Sequence, residues 1–156
     1  MRLTVQTDYA LRVLMYVALQ HGNRVRMADI AGGFDISHNH LTKVVHKLAT
    51  LGYLKTVQGR NGGMCLAKPA EEIGVGKVVR DFEPDFNLVE CMDPATSRCR
   101  IQPVCVLQDE LRHAMLAFLE RLDQVSLATL LGPHCKLQTL LDLPVRQIRA
   151  WQLPTS

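Results

Sequence analysis

Three of the five cysteines in the chain lie in one short stretch, which is the part of the sequence best suited to metal or redox chemistry. Cys91, Cys99 and Cys105 are separated by seven and by five residues. Zinc knuckles usually separate a pair of cysteines by about two to four residues, and bacterial ferredoxins use gaps of about two. The spacing fits neither pattern, so a metal site, a disulfide and three inert buried thiols all stay open on the residues alone.

The surroundings of these cysteines favour the thiolate form, which is the form that binds metals. Arg98 and Arg100 flank Cys99, and Cys105 leads directly into a long helical pattern. Cationic neighbours and a helix N-terminus both stabilise a thiolate.

The compartment expected for the protein argues against disulfides. No apolar run approaches the roughly 18 residues that span a membrane, and charges interrupt the N-terminal region where a signal peptide would be apolar. We therefore expect a cytoplasmic protein with reduced thiols, in which an odd count of five cysteines makes a disulfide framework a poor fit.

Basic residues are concentrated in the first part of the chain. Residues 1–66 hold 8 Lys and Arg against 3 Asp and Glu, a net +5, whereas residues 67–156 hold 10 against 12, a net −2. Such asymmetry is expected when one region meets nucleic-acid phosphates. The alternative is a solvated basic face.

The first predicted helix runs from Thr7 to Leu19, with Thr7 as its N-cap. Asp8 and Arg12 lie four residues apart on one face of it, where an ion pair would contribute about 0.2 to 0.5 kcal/mol in isolation.

A short helix from Met27 to Gly33, a turn, and a second helix capped by Ser37 form a helix-turn-helix pattern. The buried stripe of the second helix is predicted to be Leu41, Val44, Val45, Leu48 and Leu51. The residues of this helix and its cap that are expected to contact DNA are Ser37, His38, Asn39, His40 and Lys43. Of these, His38, Asn39, His40 and Lys43 are expected to enter a major groove. Asn can pair with adenine, and Lys with guanine or phosphate. A solvated polar face is the alternative.

Two short strands, 53–57 and 64–66, flank a glycine-rich segment at 58–63 and predict a hairpin. Arg60 and Asn61 lie at its tip, where an Arg suits a narrow minor groove. The fold expected for residues 1–66 is therefore a winged helix-turn-helix DNA-binding domain.

The remainder of the chain divides into four segments. Residues 67–90 form a connecting helix and linker, and residues 91–105 form an irregular cysteine loop. Residues 105–131 are mainly one long amphipathic helix, which a second copy would cover in a homodimer. The alternative is that the helix packs within one chain. Residues 132–156 form a proline-containing tail, whose leucines expected to dock back on the body are Leu137, Leu140 and Leu141.

Several segments are specific enough to indicate a family: LTVQTDYALRVLMYVA, SHNHLTKVVHKL, VQGRNGGMCLAKP, VVRDFEP, and the three-cysteine loop before a long helix. Together they resemble the NsrR/IscR family of winged-helix iron-sulfur transcription regulators, from Leu3 to about Leu131. Within it, residues 39–41 and 82–84 resemble the nitric-oxide-sensing repressors most closely.

The resemblance implies that Cys91, Cys99 and Cys105 bind an iron-sulfur cluster, with 4Fe-4S favoured over 2Fe-2S. It further implies a fourth ligand, Asp8, from the partner subunit, so that iron would compete with Arg12 for the carboxylate. Some relatives use a histidine three residues after the third cysteine, where this chain has Gln108.

The function expected is a homodimeric repressor that binds operator DNA and is released by nitric oxide. The alternatives are a sensor of iron or cluster status, and a cluster-free regulator controlled by thiols or a protein partner. A catalytic redox protein is disfavoured, because no cofactor-binding glycine motif follows a strand and the histidines lack paired ligand spacing.

Overall fold

The computed structural model describes residues 2–57, 59 and 62–143. In chain order, its helices and strands are α1 (Val5–Leu19), α2 (Met27–Phe34), α3 (His38–Thr50), β1 (Leu54–Val57), β2 (Gly63–Leu66), α4 (Val75–Phe82), α5 (Val106–Asp123), α6 (Leu127–Leu130) and α7 (His134–Leu140). Short 3-10 turns lie at Ala70–Glu72, Glu90–Met92 and Gln102–Val104. Within the described ranges, every helix falls short of the length and apolar character needed to cross a bilayer.

Helix α1 begins earlier than the sequence predicts. Its N-cap is Thr4, whose hydroxyl oxygen accepts the backbone N–H of Thr7 at 3.3 Å. Thr7 lies inside the helix and is fully buried, so its prediction as the N-cap is wrong. Both threonines suit an N-cap. The earlier one is used here, and the carboxylate of Glu83 accepts hydrogen bonds from both hydroxyls.

Helices α2 and α3 form the helix-turn-helix. Asp35 ends α2 in a left-handed conformation with φ 52°, and Ile36 is buried in the core. Ser37 caps α3 as predicted, since its hydroxyl oxygen accepts the backbone N–H of His40 at 3.5 Å. The predicted stripe is confirmed for Leu41, Val44, Val45 and Leu48. Leu51 is exposed instead, because the helix ends at the preceding residue.

Strands β1 and β2 form the wing as an antiparallel pair in which Leu54 lies opposite Leu66. A backbone bridge between Val25 and Met64, with N···O distances of 2.9 and 2.8 Å, joins this hairpin to the α1–α2 connection. Gly63 is required at that approach, because a Cβ there would lie 2.9 Å from the carbonyl oxygen of Val25. The mainly α fold with a small hairpin wing, a winged helix-turn-helix, is confirmed.

Helix α4 leads from the wing toward the cysteine loop and packs against both α1 and α5. A second small core joins Val75 and Val79 of α4 to Met115 and Leu119 of α5. The predicted long helix is thus present as α5. Three of its apolar side chains stay 71%, 66% and 50% exposed: Val106, Leu107 and Leu116.

The region predicted as a tail contains helix α7. Leu137 and Leu141 pack against the main core as expected, whereas Leu140 is exposed, so its predicted docking is wrong. Gln138 is buried beside them and donates a long hydrogen bond of 3.4 Å to the carbonyl oxygen of Leu19. The rest of the predicted tail, residues 144–156, lies outside the described residues.

Candidate metal centre and nucleic-acid interface

The three predicted cluster ligands lie on irregular backbone between α4 and α5. Cys91 belongs to the 3-10 turn Glu90–Met92, Cys99 is exposed, and Cys105 is the N-cap residue of α5. All five cysteines of the chain are free thiols. In this structure the three loop thiols are neither paired in disulfides nor fully buried. Metal binding by them stays a prediction.

One residue, Gln102, is hydrogen-bonded to all three cysteines. Its backbone N–H donates to the carbonyl oxygen of Cys99, and its own carbonyl oxygen accepts the backbone N–H of Cys105, both at 3.3 Å. Its side-chain Nε2 donates to the carbonyl oxygen of Cys91 at 3.1 Å. Its Oε1 accepts the hydroxyl of Ser97 at 2.6 Å. Sequence reasoning missed this residue, because only its neighbours carry metal-binding chemistry.

A second glutamine, Gln108, reaches the same carbonyl from α5. Its Nε2 lies 2.6 Å from the carbonyl oxygen of Cys91, and the residue is 7% exposed. The contact draws Cys91 toward the first turn of α5, where Cys105 is the N-cap. Gln108 thus occupies the position where some relatives were expected to have a histidine ligand. In this chain its side chain donates a hydrogen bond to the backbone of Cys91 instead.

The donor set fits an iron-sulfur cluster in its chemistry, since thiolates are the usual protein ligands of such clusters. The fit in geometry is incomplete within one chain. Among the described residues, no three His, Cys, Asp or Glu side chains lie close enough together to hold a metal ion. Asp8 and the three cysteines therefore form no such group within one chain, and the loop would have to draw its thiols together to bind a cluster.

Asp8 lies in the first turn of α1 and is paired with Arg12. The two distances are 3.1 Å from Nε to Oδ1 and 2.9 Å from Nη2 to Oδ2, and both side chains are about half exposed. This confirms the predicted ion pair. The Arg12 guanidinium also lies over the ring of Phe34, 5.8 Å from its centroid, at the end of α2. Arg12 consequently contacts both the predicted ligand and the helix-turn-helix.

The adjacent residue, Tyr9, reaches the other helix of that motif. Its ring centroid lies 6.1 Å from that of His40 in α3, with the planes inclined at 40°. His40 is exposed, so the contact leaves part of its imidazole accessible. Sequence reasoning placed His40 on the DNA face alone and missed its contact with α1, because no local spacing connects the two residues.

A third link joins the start of α1 to the end of α4. The Oε1 atom of Glu83 accepts the backbone N–H of Thr4 at 2.8 Å and its hydroxyl at 3.1 Å, and it also accepts the hydroxyl of Thr7. Glu83 immediately follows α4 and leads into the cysteine loop. The contacts of Glu83 with Thr4 and Thr7 were not predicted from the sequence, in which Glu83 is only an acidic residue before a proline at the end of a predicted helix.

The exposed face of α3 contains every described residue predicted to contact DNA. Ser37, His38, Asn39, His40 and Lys43 are all exposed, while the opposite side of the helix is buried in the core. The hydroxyl of Ser37 is used in capping. Arg60 and Asn61, predicted at the wing tip, lie outside the described residues.

Comparison with known proteins places this arrangement in a family. The pattern of the Rrf2 family, described as "Iron-dependent Transcriptional regulator", matches residues 3–133. The chain is 44% identical to the HTH-type transcriptional regulator NsrR of Bacillus licheniformis, over 91% of this chain and 100% of that protein. It is 46% identical to the HTH-type transcriptional regulator NsrR of Bacillus subtilis, over 92% of this chain and 99% of that protein.

Among solved structures, the oxidized form of Staphylococcus aureus CymR superposes with a TM-score of 0.65 at 27% identity, covering 85% of this chain and 97% of CymR. The family resemblance inferred from the sequence motifs is thereby confirmed, and the protein is a transcriptional regulator, not an enzyme. The chain belongs to the Rrf2 family of iron-dependent transcriptional regulators.

Proposed function

We propose that the protein is a homodimeric repressor that binds operator DNA while it carries an iron-sulfur cluster and releases the DNA when nitric oxide attacks that cluster. The observation that carries this proposal is the position of Asp8. It lies near the start of α1, where the side chain of Tyr9 contacts α3 and that of Arg12 contacts the end of α2.

The surface of α3 supports the DNA-binding part. Asn39 and Lys43 are exposed on a helix whose other side is fixed in the core, and the first 66 residues carry a net +5 charge. In a major groove, Asn39 would read adenine, and Lys43 would contact guanine or phosphate. Arg60 and Asn61, which lie outside the described residues, stay predicted DNA contacts on the sequence alone.

The exposed stripe of α5 supports a homodimer. Val106, Leu107 and Leu116 leave apolar surface on a helix whose other side packs on α4. A second copy would cover this surface, and two-fold symmetry would suit a DNA reader with two half-sites. The same symmetry would allow Asp8 of one copy to approach the cysteine loop of the other.

Cys91, Cys99 and Cys105 would hold the cluster, for which we favour the 4Fe-4S type, and Asp8 would complete its ligands. When bound, the cluster supplies an iron with a weak carboxylate ligand that a small molecule such as nitric oxide can approach. The contribution of the protein itself is that the Asp8 carboxylate can exchange one partner for another. The Asp8 carboxylate either faces outward to a metal or pairs with Arg12, as it does in the single chain.

This exchange would reach DNA through α1. A shift of the first turn moves Tyr9 relative to His40 and moves Arg12 relative to Phe34. Coupling free energies between two sites are typically about 1 to 3 kcal/mol, or about 5- to 150-fold in affinity. Operator affinity would change by such a factor between the two states.

The test is anaerobic purification followed by an absorption spectrum of wild type, Asp8→Ala and Asp29→Ala. Asp29 is a matched control, since it is also a partly exposed acid paired with a nearby arginine, Arg26, at 3.5 Å. We expect a brown protein that bleaches with nitric oxide, an altered spectrum in Asp8→Ala, and an unaltered one in Asp29→Ala. The role of Asp8 is refuted if its variant matches wild type in both spectrum and nitric-oxide response.

Two alternatives are separated by the same samples. The family description as iron-dependent favours an iron or cluster-status sensor, which would bleach on iron withdrawal and not respond specifically to nitric oxide. The likeness to CymR, together with an exposed Cys99, favours a cluster-free thiol- or partner-controlled regulator. That protein would be colourless and bind its operator fully without metal.

A further inference from the structure

We infer that Gln102 and Gln108 are positioning residues that hold the three-cysteine loop in a single arrangement before any metal binds. The inference rests on the proposed function in one respect, that this loop is the cluster site. Its physical basis is independent of that function, because it concerns the order of residues 90–104 in the metal-free chain.

The first observation is that the loop has little apolar burial to order it. Ile101 and Val104, two apolar residues that precede the third cysteine, are 62% and 82% exposed. Two prolines, Pro94 and Pro103, also remove backbone donors from the segment. A segment that buries so little apolar surface depends on hydrogen bonds for its order.

The second observation is that the hydrogen bonds converge on one acceptor. The carbonyl oxygen of Cys91 accepts Nε2 of Gln108 at 2.6 Å and Nε2 of Gln102 at 3.1 Å. A carbonyl oxygen has two lone pairs, so this acceptor is fully used. The peptide group that follows Cys91 is therefore held by Gln108 of α5 and by Gln102 of the 3-10 turn Gln102–Val104.

The third observation is the burial of Gln108. A carboxamide withdrawn from water is costly unless it is hydrogen-bonded, and Gln108 is one of only three buried polar or charged side chains among the described residues. The cost of burying the Gln108 carboxamide is thus offset by its hydrogen bond to Cys91. If this hydrogen bond breaks, the carboxamide must either move into water or stay buried without a partner. Gln102 extends the same restraint to Cys99 and Cys105 through its backbone.

Holding the ligand residues in advance has a consequence for metal uptake. In the held arrangement the three thiols do not form a metal-holding group. Part of that arrangement therefore has to be released as a cluster binds, and the loss of hydrogen bonds opposes binding. Loss of either carboxamide should therefore speed cluster insertion, with no change in the ligands themselves.

The experiment compares wild type with Gln108→Leu, Gln102→Leu and the control Gln124→Leu. Gln124 is an exposed glutamine at the C-terminal end of the same helix, far from the loop in sequence. Hydrogen–deuterium exchange of backbone amides 90–104 is measured in the metal-free proteins. We expect exchange to be about two- to tenfold faster in both loop variants, the factor for one lost hydrogen bond, and unchanged in the control.

Cluster insertion from iron and sulfide is then timed in the same four proteins. Faster amide exchange together with faster insertion in the loop variants supports the inference. Unchanged amide exchange in both variants would overturn it, whatever the cluster does. Failure of the wild type to take up any cluster would count against the proposed function alone, since the exchange measurement needs no metal. Gln102→Leu, which is not a core position, keeps the test valid if Gln108→Leu does not fold.

Discussion

The ring of Tyr9 in α1 lies 6.1 Å from the ring of His40 in α3, so the residue that follows Asp8 touches the helix proposed to read DNA. Arg12, four residues after Asp8, reaches Phe34 at the end of α2. The turn of α1 that carries the proposed fourth ligand is consequently in contact with both parts of the helix-turn-helix. No long chain of intermediates is needed for a change at Asp8 to alter the DNA-reading surface.

Replacing Tyr9 by Leu should weaken the dependence of operator affinity on cluster state. An aromatic pair is worth about 0.5 to 1.5 kcal/mol beyond burial, so we expect the affinity ratio of loaded to metal-free protein to fall about two- to tenfold. Fluorescence anisotropy with labelled operator measures both affinities. Met15→Leu is the control, a near-isosteric change on the same helix and against the same core. An unchanged ratio in Tyr9→Leu would remove this contact from the mechanism.

Asn39→Ala and Lys43→Ala should differ in kind. Loss of Asn39 should relax preference at one base pair, by about 1 to 3 kcal/mol, because a bidentate contact to adenine is lost. Loss of Lys43, as a phosphate contact, should weaken binding to all DNA sequences alike. It should also lower the slope of log affinity against log salt concentration by about one. Selection from a random duplex pool, followed by salt titration, distinguishes the two. Identical selected sites for Asn39→Ala and wild type would contradict base reading by Asn39.

Glu83→Ala should destabilise the fold. The change leaves the backbone N–H of Thr4 and the buried hydroxyl of Thr7 without their shared acceptor, at a cost of about 1 to 3 kcal/mol. Glu83→Gln keeps a carbonyl oxygen at that place and should lose less than half as much. Chemical denaturation of the metal-free protein measures both. Equal losses in the two variants would show that the accepting oxygen is not what matters.

Gly76→Ala should also be destabilising, despite the better helix propensity of alanine. A Cβ at Gly76 would lie 2.9 Å from the backbone nitrogen of Asp123, which Arg80 holds in place through paired hydrogen bonds. Overpacking typically costs about 1 to 3 kcal/mol, against a propensity gain of up to about 1 kcal/mol. Gly74→Ala is the matched control, because nothing lies within 4 Å of its Cβ position. A thermal midpoint that rises in Gly76→Ala would contradict the close approach of α4 and α5.

The local elements of the fold could be predicted from the sequence. Helix periodicity and a good capping serine located α3 correctly from Ser37, and glycines located the hairpin after it. The spacing of Asp8 and Arg12 sufficed to predict their ion pair. These features depend on residues near one another in the chain, where spacing determines which side chains share a face.

Contacts between distant segments could not be predicted in the same way. The choice of Thr4 as N-cap involves Glu83, 79 residues away, and the contact of Tyr9 with His40 depends on how α1 crosses α3. The roles of Gln102 and Gln108 were equally hidden, because glutamine carries no chemistry that marks it in a sequence. Each of these residues acts through a partner that only the folded chain brings near.

We expect the state of the cluster to determine operator affinity, and one titration follows both quantities at once. Anaerobically purified protein is bound to labelled operator, nitric oxide is added in steps, and cluster absorbance and DNA anisotropy are read from the same sample. We expect cluster absorbance and bound DNA to fall together, with operator affinity reduced by about 5- to 150-fold at the end point. Bleaching of the cluster with the operator still fully bound at unchanged affinity would contradict it.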